Sequence, residues 1–145
     1  MKTTLLILAL TTAFVFGHGE VEIGPNGGRI LEFSKNESMH GEVTAKGGKF
    51  RIAVLDKNMK PVALGEQTIT VTAGDRNDPR KVPVVKEDNH FVFPTAKPGE
   101  WVIVQFKENA KAKAITARIK YDTKVCGACK NEEWLCKCPA SGAKK

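Results

Sequence analysis

Alternation of apolar and polar residues is the main pattern in the central part of this chain. Residues 68–72 read Thr-Ile-Thr-Val-Thr, and residues 114–121 place their larger apolar side chains on one face and Thr, Arg and Lys on the other. Such period-two alternation is typical of strands that are buried on one face only. Complete or shorter runs of the same kind predict further strands at residues 30–33, 42–45, 51–55, 82–86, 91–93 and 101–106.

Residues that favour turns cluster between these runs, for example at residues 25–28, 46–48, 87–89 and 97–99. No stretch before Cys126 carries a convincing apolar stripe at helical spacing, and the Ala/Lys-rich residues 107–113 fit either a helical turn or a loop. Short strands with regular turns predict an all-β fold. We expect a two-sheet antiparallel, immunoglobulin-like sandwich of about seven or eight strands with a C-terminal cysteine-rich segment.

The predicted core consists of the large apolar residues of these strands. They are Phe33, Phe50, Ile52, Val54, Leu55, Ile69, Val71, Phe91, Phe93, Trp101, Ile103, Val104, Phe106, Ile115 and Ile119. No cysteine is among them, which excludes an inter-sheet disulfide of the antibody type. The cysteine segment is therefore predicted to be an appendage of the sandwich.

The N-terminus has the features of a secretory signal peptide. Lys2 precedes an uncharged apolar run at residues 3–16, which is shorter than the roughly 20 residues of a membrane span. We predict a signal peptide at residues 1–17, a β-sandwich domain at 18–122 and a Cys/Lys-rich segment at 123–145, with a retained anchor helix as the alternative. The mature chain is predicted to be periplasmic or secreted and to have no membrane span.

Four cysteines lie within the last twenty residues and none before them, in the pattern C-x2-C-x6-C-x-C: Cys126, Cys129, Cys136 and Cys138. Two cysteines at x2 spacing can turn their sulfurs onto one ion, and thiolates favour soft metals such as copper and zinc. Nearby lysines would lower the pKa of the thiols and offset the charge of a metal-thiolate cluster.

Two alternatives to a metal site remain open for these cysteines. An exported protein meets an oxidising compartment, where structural disulfides would close the segment into a local knot. Cys126-Gly127-Ala128-Cys129 also has the spacing of a thiol redox motif, although such a motif normally lies at a strand-to-helix junction in a βαβ unit, which the pattern does not predict here.

A second candidate metal site involves histidine and methionine. Cleavage after Gly17 would make His18 the first residue, so that its amine and imidazole could both bind Cu(II). Met39 and His40 stand together at the start of a predicted strand and offer a thioether and an imidazole. The alternatives are an incidental terminal histidine and an exposed loop pair.

Charge is unevenly distributed. The whole chain has a formal net charge of +7, but residues 18–104 carry 12 basic and 12 acidic residues, whereas residues 105–145 carry 10 basic and 4 acidic ones. This excess of positive charge beside the cysteines indicates an acidic partner, thiolate neutralisation or only a solubilising tail. Nucleic acid is not a predicted partner, because the few aromatic residues do not alternate with the basic ones.

Several short motifs occur in an order known from other proteins: Gly24-Pro25-Asn26-Gly27-Gly28, then His40-Gly41-Glu42, then Val54-Leu55-Asp56. In these the chain resembles small exported β-sandwich proteins of the bacterial envelope, and modules of periplasmic adaptor subunits of heavy-metal efflux systems. The resemblance covers roughly residues 18–71. It implies metal-ligand roles for His18 and His40 and a partner from an efflux system or another envelope protein. Asn26 stands where the family often has histidine.

These observations together predict an exported protein that handles or sequesters a soft metal ion, copper first and zinc second. The predicted ligands are the four cysteines, with His18, Met39 and His40 as a separate site. The alternatives are an envelope interaction module with structural disulfides and a thiol redox protein. No enzymatic activity is predicted, because histidine is scarce and the serines of the polar loops lack a nucleophile-elbow pattern.

Overall fold

The structure is a computed structural model that describes residues 21–138. The predicted signal peptide and His18 lie outside the described residues. Two antiparallel sheets pack face to face, one with the strand order β1-β2-β3-β7-β6 and the other with the order β5-β4-β8-β9. The strands are β1 Arg29–Glu32, β2 Met39–Lys46, β3 Lys49–Asp56, β4 Thr68–Asp75, β5 Asp78–Val82, β6 Val85–Glu87, β7 His90–Pro94, β8 Trp101–Lys107 and β9 Ile115–Lys120.

The predicted all-β sandwich is thereby confirmed, and the alternation of residues explains it. In β8 the side chains of Val102, Val104 and Phe106 are buried between the sheets. Phe106 stacks on Phe33 of the opposite sheet, with ring centroids 4.3 Å apart and planes inclined by 3°. The strands other than β5 and β6 thus contribute one face to a common core, as expected of a two-sheet sandwich.

Several predicted core residues lie outside the core between the sheets. Leu55 is buried in a separate small cluster with Ile30 and Ala53. Trp101 is 44% exposed, and Ile103 is only partly buried, because both alternate with the inward residues of β8 and so face outward. Ile69 and Ile115 are also only partly buried. Within residues 21–138 there is no helix with the length and apolar character needed to cross a membrane.

The predicted strand at residues 82–86 is two strands in different sheets. β5 ends at Val82 and belongs to the four-stranded sheet, whereas β6 begins at Val85 and belongs to the five-stranded one. Pro83 lies between them and has no N–H to donate to a ladder, so the chain leaves one sheet there and enters the other. Residues 108–112 form a turn, in which the Asn109 side chain accepts hydrogen bonds from the N–H groups of Lys111 and Ala112 at 2.9 and 3.0 Å.

A buried carboxylate fastens the loop before β1 to the outer face of the five-stranded sheet. Glu42, 1% exposed, accepts hydrogen bonds from the backbone N–H groups of Asn26 and Gly28 at 2.7 and 3.0 Å and from the Asn26 side-chain amide at 2.8 Å. Beside it, Gly41 lies so close to Phe33 that a β-carbon would sit 2.3 Å from the ring. The motif residues around positions 24–28 and 41–42 therefore have a structural role in this fold.

Candidate metal centre

The two halves of the cysteine pattern are brought together by a short antiparallel turn. Val125 and Glu132 form an isolated bridge, and within it the N–H of Cys126 donates to the carbonyl of Asn131 at 2.8 Å. The N–H of Lys130 returns to the carbonyl of Cys126 at 3.0 Å, with Lys130 in the left-handed region at φ 64°. This tight turn folds Cys129 back beside Cys126.

The segment is held on the sandwich by Trp134, which lies in the 3₁₀ turn Glu133–Leu135. The indole is 2% exposed and packs edge-on against Phe50 and Tyr121, with ring centroids 5.8 and 5.5 Å away. Its backbone N–H donates to the carbonyl of Asp122 at 3.0 Å, and its carbonyl accepts from the Arg29 guanidinium at 3.1 Å. The segment is thus packed into one end of the core and does not stand apart as an appendage.

The four sulfurs gather around one point. The Sγ atoms of Cys126, Cys129, Cys136 and Cys138 all lie within 4.8 Å of one another. The Cys129–Cys136 pair is 3.6 Å apart, and the Cys126–Cys138 pair is 3.9 Å apart. A tetrahedral ion with metal–sulfur bonds of about 2.3 Å places its ligands about 3.8 Å from each other, whereas a disulfide bond is about 2.05 Å long.

All four cysteines are free, and their sulfurs have the spacing of a four-ligand metal site. Cys126 and Cys136 are buried, whereas Cys129 and Cys138 are partly exposed. The site therefore lies just below the surface, where an ion can be enclosed by sulfur and still be reached from one side.

Backbone hydrogen bonds favour a thiolate in the first half of the motif. The N–H groups of Cys129 and then Ala128 point at the sulfur of Cys126 and, together with a hydrogen bond from Cys136, lower the pKa of Cys126 to about 7. A thiol with this pKa is substantially ionised at neutral pH, which is the form that binds metal. The first half of the pattern thus supplies a ready anionic ligand.

The second half of the cysteine pattern, Cys136 and Cys138, holds its protons more tightly than Cys126 does. The N–H of Cys138 donates to Cys136 and favours its thiolate, but the hydrogen bond to Cys126, burial and the other two sulfurs outweigh this and raise the pKa of Cys136 to about 12. The pKa of Cys138 is also raised: its hydrogen bond with Cys136 favours the thiolate, but the bonds to Cys129 and Cys126 and burial act against it more strongly. Without an ion, the sulfurs therefore share protons with one another. A cation of charge two would replace these protons and remove the repulsion between thiolates.

The nearby lysines surround the site without contacting the sulfurs through a hydrogen bond. The Lys130 ammonium donates to the carbonyl of Gly127 at 2.7 Å and so stabilises the turn. Lys124 and Lys137 are exposed. Their charge acts over a distance, as a positive environment for an anionic metal-thiolate centre.

The structure places Met39 and His40 away from any such cluster. The His40 ring is buried and its Nδ1 pairs with a Glu32 carboxylate oxygen at 2.8 Å, whereas Met39, its neighbour on the opposite face of β2, packs against the core. In the part of the chain that the structure describes, the cysteines form the only group of three or more His, Cys, Asp or Glu side chains close enough to share an ion. The separate His18, Met39 and His40 site stays a prediction.

The sequence pattern gave no reason to include Arg29 and Asp122, although both hold the segment in place. Arg29 directly precedes the predicted strand at residues 30–33, and Asp122 is a polar residue after the last predicted strand. The signal that pointed in the right direction was Trp134, a large apolar residue inside an otherwise polar, cysteine-rich stretch, since such a residue needs a surface to bury against.

No family model, curated protein or solved structure matches the chain. The resemblance to modules of efflux adaptor subunits therefore stays a prediction, and the chemistry of the site has to be inferred from its own geometry.

Proposed function

We propose that this chain is an exported metal-binding protein whose four cysteines hold one zinc ion. The observation that carries the proposal is the gathering of four Sγ atoms within 4.8 Å of one another, with two separations of 3.6 and 3.9 Å. These separations match the edges of a tetrahedron around zinc. Export rests on the signal-like residues 1–17.

We rank zinc above copper as the bound ion because the four sulfurs gather around a single point. Zn²⁺ in protein sites is almost always tetrahedral, and sites with four cysteines are closed, with no ligand position left for water. The sequence alone favoured copper, on the softness of thiolate and on the histidine and methionine near the N-terminus. Cu(I) remains the second candidate, since thiolates bind it as well.

Bound zinc would also order the end of the chain. It would tie the Cys126–Cys129 turn to Cys136 and Cys138, on either side of the core-bound Trp134. In small zinc sites the binding free energy, on the order of 10–16 kcal/mol, is also folding free energy. The partly exposed Cys129 and Cys138 leave the ion accessible to a competing ligand, as handling or sequestering an ion requires.

The second candidate is an interaction module in which the same cysteines are oxidised. The shortest sulfur separations would then define the pairs, Cys129 with Cys136 and Cys126 with Cys138. Each pair would have to close to about 2.05 Å, which requires movement of both halves of the segment. We rank this candidate second because the present spacing fits an ion without movement.

Titration of the reduced protein with Co²⁺ tests the proposal, because tetrahedral thiolate-bound cobalt absorbs strongly in the near ultraviolet and has visible bands typical of tetrahedral geometry. We expect saturation at one equivalent, displacement of cobalt by zinc, and at least about tenfold weaker binding in Cys136→Ser. The matched control Met39→Leu removes a sulfur outside the cluster and should leave the titration unchanged. Absence of thiolate bands, or equally tight binding by Cys136→Ser, would overturn the proposal.

A further inference from the structure

The outer face of the four-stranded sheet carries a concavity of about 780 Å³ on the strands β4, β5, β8 and β9. This volume lies within the range of about 300–1,000 Å³ that is typical of ligand pockets. Its residues come from these four strands and from the β4–β5 turn, and none of them belongs to the cysteine cluster. The concavity is therefore a feature separate from the metal centre.

Strand pairing explains the shape of this concavity. Across the sheet, Pro79 of β5 pairs with Gly74, Gly74 with Trp101, and Trp101 with Lys120. Gly74 is buried, and a β-carbon there would lie 2.3 Å from the Asp78 carbonyl oxygen, so no side chain stands between the pyrrolidine and the indole. The two walls are separated by two strand spacings, which amounts to roughly 10 Å between their backbones.

The floor is apolar and the rim is cationic. Trp101 is 44% exposed, and the Lys120 ammonium lies 5.3 Å from its ring centroid. Two residues further along β8, Ile103 pairs with the exposed Arg118 of β9. Arg76 lines the concavity from the β4–β5 turn. An exposed indole beside several cations is suited to a ligand that has both a ring face and a negative charge.

The two arginines of the rim are available to a ligand, whereas the Lys120 ammonium already lies over the Trp101 ring. Of the ion pairs formed within residues 21–138, none includes Arg76, Arg118 or Lys120. The neighbouring carboxylate of Glu100 is already bound by Arg80 at 2.6 Å. One acidic residue, Asp75, lines the concavity together with the two cations Arg76 and Arg118, so the charge of the lining is positive.

The topology disfavours a peptide added as an extra strand. β4 is paired with β5 and β8, and β8 is paired with β4 and β9, so the free backbone edges of this sheet belong to β5 and β9, at the sides of the concavity and away from its centre. Recognition must therefore use side chains above the sheet face: stacking on Trp101, hydrogen bonds to Thr72 and charge pairing with Arg118.

We propose that this face binds an acidic saccharide, with a sugar ring stacked on Trp101 and the carboxylates of neighbouring rings paired with Arg118 on one side of the indole and Arg76 on the other. Sugar rings present an apolar C–H face that stacks on indole, together with hydroxyl groups for Thr72. An attached carboxylate accounts for the cationic rim, because guanidinium groups bind carboxylates in a bidentate manner. The role is distinct from metal binding and does not depend on it.

Isothermal titration calorimetry of the full chain with an oligogalacturonate tests this proposal, since every ring of that probe carries a carboxylate. We expect saturable binding whose affinity falls with added salt. The affinity should fall about tenfold in Trp101→Ala and about threefold or more in Arg118→Gln. The control Val85→Ala changes an exposed apolar residue of the other sheet and should have no effect. Circular dichroism verifies that each variant is folded, which is expected because all three sites are exposed.

Two further probes separate the sources of binding. A neutral maltooligosaccharide of the same length should bind much more weakly, and so should an oligoglutamate, which offers carboxylates without a ring face. The proposal is overturned if the oligogalacturonate shows no binding at millimolar concentration, if either comparison probe binds as tightly, or if Trp101→Ala binds like the unmodified protein.

Discussion

The indole of Trp134 meets the ring of Phe50 edge-on, with centroids 5.8 Å apart and planes inclined by 74°. Phe50 is fully buried in β3, the central strand of the five-stranded sheet. The segment that carries the cysteines is therefore joined to the core of the sandwich mainly through the Trp134 side chain. The position of the metal centre depends on the same core that stabilises the sandwich.

Trp134→Ala should lower the free energy of unfolding by about 3–5 kcal/mol, because it leaves a cavity beside Phe50 and Tyr121. Urea unfolding followed by circular dichroism measures this change. The matched control is Trp101→Ala, since Trp101 is exposed and its removal should change stability by no more than about 0.5 kcal/mol. Similar losses in both variants would contradict the anchoring role of Trp134.

Glu42→Ala should destabilise the protein by about 1–3 kcal/mol or more, because three hydrogen-bond donors of Asn26 and Gly28 lose a buried acceptor. Glu42→Gln should cost less, since its amide oxygen still accepts from this loop. Urea midpoints give the comparison. Glu66→Gln, at an exposed position, is the control. If Glu42→Ala lowers the free energy of unfolding no more than this control does, the loop does not depend on the Glu42 carboxylate.

Gly41→Ala should destabilise the sandwich by about 1–3 kcal/mol, because the new β-carbon would lie 2.3 Å from the Phe33 ring, which itself stacks on Phe106. Gly65→Ala is a suitable control, since the nearest atom to its added carbon is a side-chain oxygen at 3.8 Å. Thermal unfolding of the two variants should separate them clearly. Equal transition temperatures would mean that Phe33 can move aside freely.

Stability should depend on pH through Glu100. Hydrogen bonds from Arg80, then from the backbone N–H of Lys97, lower the pKa of Glu100 from 4.5 to about 2. Since the pKa in the folded state is the lower one, the ionised group stabilises the fold above about pH 4.5, and this contribution is lost as the pH falls toward 2. The difference in unfolding free energy between the unmodified protein and Glu100→Gln should therefore shrink as the pH falls from about 4.5 toward 2.

Urea unfolding at several pH values checks this trend. Glu108→Gln removes a carboxyl that has no hydrogen-bond partner within residues 21–138, so its difference from the unmodified protein should not follow the Glu100 trend. A pH-independent difference for Glu100→Gln would contradict the role assigned to the Arg80 pair.

Most strands could be predicted from the sequence because alternation directly reflects burial on one face. β8 shows this well, with Val102, Val104 and Phe106 inside. In the same strand, Trp101 and Ile103 are large and apolar but alternate with the inward residues, so they face outward although their residue types suggested the core. β5, with the polar sequence Asp-Pro-Arg-Lys-Val, has no apolar face and was missed, since its pairing with β4 is a tertiary effect.

The cysteine set could be recognised from spacing, whereas its attachment could not. Spacing within residues 126–138 brings sulfurs near one another whatever the rest of the chain does. The contacts of Trp134 with Phe50 and of Arg29 with the Trp134 carbonyl join positions far apart in sequence. No local pattern encodes such contacts. The buried pair of His40 and Glu32 likewise depends on the register between β1 and β2.

The decisive measurement is a comparison of native and denatured masses by mass spectrometry, on protein isolated with zinc supplied and without added reductant. The account predicts a native mass that contains one zinc ion per chain and a denatured mass in which all four cysteines are reduced. It also predicts that Cys136→Ser loses the ion. A native mass without metal, together with a denatured mass that shows two disulfides, would contradict the account.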